Sequence, residues 1–106
     1  MNEDLIIFIR AVLGTDHLPS EVRNAATSLD FVSQSTFDQS YLDFLQEQIE
    51  GSNDTGRTAK MKERLTALTP YRDMRTLVGF VPTLNGLWSI RVDPARGKVI
   101  HGEMAP

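Results

Sequence analysis

"LVGFVPTLNGLWSIRVDPARGKVIHGEM", residues 77–104, reads as strand, turn, strand, turn, strand. It closes a chain whose earlier residues follow helical spacing, so it decides the fold class. Asn85-Gly86 between Leu84 and Leu87 has the chemistry of a type I′ hairpin turn, because Asn and Gly tolerate positive φ. That turn would set Val81 opposite Ile90 and Gly79 opposite Val92. Pro82 lacks a backbone donor, which makes the first strand an edge. "PARG" (94–97) is the second turn, and it places Asp93 opposite Lys98, Val92 opposite Val99 and Ile90 opposite His101.

Alternation then sorts the side chains into two faces. Leu77, Val81, Trp88, Ile90, Val92 and Val99 share one. Val78, Phe80, Leu84, Leu87, Ile100 and Met104, with Arg91 among them, share the other. An antiparallel sheet usually leaves one face polar and wet. Here both are apolar, so the second needs a cover or a partner.

Upstream, Asn2 caps a first helix with Glu3 and Asp4 near its positive end, and Gly14 stops it. Leu5, Ile6, Phe8, Ile9, Val12 and Leu13 are apolar on more than one side. This helix is therefore the intramolecular candidate to cover the second sheet face. Pro19 opens a second helix carrying Val22, Ala25, Ala26, Leu29 and Val32 or Ser33. Thr36 with Gln39 matches a capping box for a third helix, Phe37 to about Glu50, with Phe37, Tyr41, Phe44 or Leu45 and Gln48 or Ile49 inward. "GSNDTG" (51–56) is the turn to a fourth helix, about Arg57 to Leu68, which Pro70 keeps from simply continuing. The expected fold class is α+β: about four N-terminal helices followed by a C-terminal three-stranded antiparallel β-meander, in a single domain over residues 1–106.

Composition narrows the function classes. The chain has 106 residues, 41% hydrophobic and 24% charged, with no cysteine. Thiolate metal sites and disulfides are therefore excluded. The longest apolar run, Leu5 to Ile9, is too short to span a membrane. The acidic start, Met-Asn-Glu-Asp, is unlike a basic signal-peptide opening, and a cytoplasmic location is expected. His17 and His101 share no ligand spacing, and no metal or cofactor is expected. No nucleophile elbow or phosphate-cradling loop occurs, and Asp43 with Glu47 reads as a solvated acidic face. The protein is thus expected to be non-catalytic.

The net charge of −3 is unevenly divided: residues 1–54 hold ten acids and two bases, residues 55–106 nine bases and four acids. Arg57, Lys60 and Arg64 share one helical face, and Arg72 and Arg75 follow. These five are the candidate nucleic-acid-binding residues, with Tyr71 and Trp88 available to stack on bases. Helices followed by a basic hairpin resemble a winged-helix layout. Alternatively, the acidic third helix and basic fourth helix compensate each other across their hairpin.

"GLWSIRV" (86–92) resembles the central strand of RelE-type ribonuclease toxins. The resemblance implies a small ribonuclease, but the chain ends too soon after Met104 for that family's further strand and catalytic residues, so no site is transferred. The preferred reading is a small protein-protein interaction module, an inhibitor, immunity-type or adaptor protein. It would bind a protein partner or a second copy through Val78, Phe80, Leu84, Leu87, Arg91 and Ile100.

Overall fold

The computed structural model describes residues 2–105. Its elements run α1 (Glu3–Leu13), α2 (Ser20–Ala26), β1 (Ser33–Thr36), α3 (Gln39–Glu50), α4 (Thr55–Leu68), a 3-10 turn (Thr69–Tyr71), β2 (Arg75–Thr83), β3 (Gly86–Asp93) and β4 (Lys98–Met104). The class is α+β. The strand count exceeds the expected three by one, and the sheet order is β1-β2-β3-β4. The chain forms two compact units, Met1–Ser35 with Arg75–Pro106, and Thr36–Met74.

The sheet unit is built around the terminal meander. Asn2 caps α1 by accepting from the Asp4 N–H at 3.0 Å, and Gly14 closes its end. Pro19 precedes α2 as expected, but that helix stops at Ala26. The apolar spacing beyond it does not continue a helix. Ser33–Thr36 forms a short strand beside β2, with the Thr76 hydroxyl donating to the Ser35 carbonyl at 2.9 Å. Ser and Thr are weak helix formers, so a ladder wins there once β2 offers one.

The buried core joins Phe8, Ala11 and Val12 of α1, Leu18, Val22 and Ala26 of and around α2, and Val32 to Leu77, Val81, Ile90 and Val92 of the sheet. Trp88 and Val99 pack against it, so the first of the two expected faces is the core face. Helix α1 lies on this same face. It does not fill the second one, because the Phe8 ring seats against Gly79, which shares its side of β2 with Leu77 and Val81.

Two details of register differ from expectation. Thr83 pairs with Gly86, Val81 with Trp88, Gly79 with Ile90 and Leu77 with Val92. The turn is Leu84-Asn85. The Thr83 hydroxyl accepts from the Asn85 N–H at 3.3 Å and donates to the Gly86 carbonyl at 2.8 Å. Gly86 carries the positive φ, +146°. The turn thus forms one residue earlier than the Asn-Gly pair suggested. The partners shift by two, which keeps every side chain on its expected face.

In β4 a bulge does change faces. Asp93↔Lys98 and Val92↔Val99 pair as expected, but the register shifts so that Arg91 faces His101 and Ile90 faces Gly102. Ile100 is the additional residue, and the strand beyond it reverses its alternation. Met104 is brought opposite Trp88 on the core face, and Glu103 comes opposite Ser89 on the other.

Pro82 is compatible with its neighbours although β2 is not a sheet edge along its whole length. β1 has four residues and meets β2 near Thr76, short of Pro82. Thr83–Gly86 is the hairpin's closing pair, so Pro82 sits at a non-hydrogen-bonded position. Its missing donor faces away from β3.

The helical unit is an α-hairpin. Asp38, not Thr36, caps α3, accepting from the Tyr41 N–H at 3.0 Å. Asp54 caps α4 the same way through the Arg57 N–H at 3.1 Å, so the helix begins at Thr55. Phe37, Leu42, Leu45, Ile49, Met61 and Leu68 are buried, while Phe44 is 52% exposed. Tyr41 packs its ring on Phe37 with centroids 5.3 Å apart. The base is closed by the Asp73 N–H donating to the Phe37 carbonyl at 2.6 Å. Asp73 takes a left-handed backbone with φ 63°.

Candidate protein-binding surface

The six residues expected to form the binding face all belong to the sheet unit, but they are not equivalent. Val78 is buried and pairs with Arg91, which is partly buried. Phe80 is 53% exposed and Leu87 43%, and Leu84 at the hairpin tip is fully exposed. Phe80 pairs with Ser89, and Pro82 with Leu87. Phe80 and Leu87 are therefore diagonal neighbours on one face, a spacing that aromatic side chains bridge. Pro82 is exposed beside them. The apolar patch is thus concentrated at the free end of the β2–β3 hairpin.

Towards the other end the bulge makes the outer face polar. Arg91 and His101 lie opposite each other, as do Ser89 and Glu103. His101 Nε2 and Glu103 Oε1 are 3.7 Å apart, with side chains only 12% and 15% exposed. Sequence alternation alone put Ile100 and Met104 here. The bulge puts His101 and Glu103 here, and Ile100 stays partly buried as the bulge residue.

The hairpin tip is tied down. Asn85 Nδ2 donates to both carboxylate oxygens of Glu21 on α2, at 3.1 and 3.0 Å. Together with the Thr83 hydroxyl bonds, this fixes the turn that carries Leu84. The second turn is held by Asp93 and not by an ion pair between Asp93 and Lys98 across the strands. Asp93, 1% exposed, accepts from the Ala95 and Arg96 N–H groups and from Arg96 Nη1 at 3.1 Å. Its register partner is Lys98, but its carboxylate serves the turn.

The five candidate nucleic-acid residues are divided between the units. Arg57 and Lys60 are exposed on α4, and Arg64 on the same helix is partly buried. Arg72 donates to Gln39 Oε1 at 3.1 Å and lies 3.5 Å from Asp73. Arg75 belongs to the sheet unit, where Nη2 meets Asp4 Oδ1 at 2.5 Å. The Arg75 hydrogen bond holds the Asp4 carboxyl below the usual carboxylate range, helped by a bond from Gln34 and opposed by desolvation.

In the helical unit, an open groove of about 500 Å3 is lined by Gln39, Leu42, Asp43, Gln46, Leu65 and Arg72, among others. Gln39 Nε2 donates to Asp43 at 2.8 Å and Gln46 to Glu50 at 3.1 Å, so these contacts run along α3 itself. At the α3–α4 connection Glu47 and Arg57 line one open hollow. Among the described residues no group of three or more His, Asp or Glu side chains could hold a metal ion. No described helix is long and apolar enough to cross a membrane. Sequence reasoning missed Phe44, an exposed aromatic, because its spacing from Tyr41 also suits the buried stripe. No protein-family model, curated protein or solved structure matches this chain.

Proposed function

We propose that the protein is a small, non-catalytic protein-protein interaction module, of the inhibitor, immunity-type or adaptor kind, that binds through the outer face of its β2–β3 hairpin. One observation carries the reading: Phe80, Leu84 and Leu87 are exposed together at a hairpin tip fastened to α2 through Glu21 and Asn85. Large apolar side chains gathered on one exposed patch mark contact surfaces. A patch already held in place loses little conformational freedom on binding, which favours affinity.

The test is recovery of tagged protein from host lysate, with and without nuclease. Capture of a protein partner or of a differently tagged second copy should be insensitive to nuclease and lost in the Phe80→Ser, Leu87→Ser double variant. Both side chains are exposed, so the double variant should keep its far-UV circular dichroism. Capture abolished by nuclease alone overturns this reading in favour of nucleic acid bound through the α4 bases.

A further inference from the structure

We draw no further inference here: the strongest candidate, the exposed apolar end of the β2–β3 hairpin at Phe80, Leu84 and Leu87, belongs to the surface already described, and nothing in the structure shows what covers it.

Discussion

The ring of Phe8 on α1 occupies the space a β-carbon on Gly79 of β2 would need, with Cζ only 2.4 Å from that position. Phe8 is fully buried, so the ring has nowhere to retreat. Gly79→Ala is therefore expected to destabilise the fold by about 1–3 kcal/mol through overpacking. At Gly102 the nearest obstacle is Leu18 Cδ2 at 2.7 Å, the end of a flexible side chain. Gly102→Ala should cost less. Thermal denaturation of the two variants checks the order; equal losses would contradict it.

Trp88 packs on the core from a partly buried position, and its Nε1 donor is buried without a hydrogen-bond partner. Trp88→Ala is expected to cost about 3–5 kcal/mol, the range for emptying a large aromatic site. Trp88→Phe also removes the unsatisfied N–H, whose burial costs about 1–3 kcal/mol. The phenylalanine variant should accordingly lose much less stability than its smaller volume suggests. Urea unfolding of both measures the difference.

Asp93 is expected to matter more than an ordinary turn residue. Its buried carboxylate takes two backbone N–H groups and the Arg96 guanidinium. Asp93→Ala leaves those turn donors without their acceptor and should destabilise by about 1–3 kcal/mol. Lys98→Ala, at an exposed site not bonded to that carboxylate, should stay within about 0.5 kcal/mol. Similar losses in the two variants would show that the cross-strand ion pair dominates.

The Asp4–Arg75 contact sets a pH signature. The folded-state pKa of Asp4 is depressed, first by the Arg75 hydrogen bond. The unfolded chain therefore binds this proton more readily than the folded one. The contribution is present above the unfolded carboxylate pKa, about 3.9, and is lost as pH falls through the lower folded value. Asp4→Asn should flatten that part of the acid limb in denaturation measured from pH 6 down to 2. An unchanged limb would remove Asp4 from the account.

Nucleic-acid binding separates the two charge arrangements. Arg72 and Arg75 are engaged by Gln39 and Asp4, and Arg57 lines the same hollow as Glu47. Binding to generic RNA or DNA oligonucleotides is therefore expected to be weak even at low salt. Titrations at several salt concentrations test this, since phosphate contacts lose affinity steeply as counterions compete. Tight, salt-sensitive binding lost in an Arg57/Lys60/Arg64 triple alanine variant that stays folded would establish the opposite.

Much of the architecture is local chemistry, and the sequence by itself determined it. The Asn2 cap, the stops at Gly14 and Gly51, the helical hairpin and the alternation of the meander need only neighbours within a few residues. The core face was legible because a two-residue change in hairpin register leaves every side chain on the same side. What the tertiary structure decided depends on distant partners. Ser33–Thr36 becomes a strand only because β2, about forty residues later, offers it a ladder. Helix α1 goes to the core face because Gly79 leaves room for Phe8, a fit between residues 71 positions apart. The bulge at Ile100 likewise turns Gly102 inward against Leu18, and so sends His101 and Glu103 to the outer face. Alternation has a period of two and cannot announce an extra residue; packing across the chain selects it, because the unshifted register would turn the His101 side chain towards Ile90 and Leu18, where Gly102 now sits.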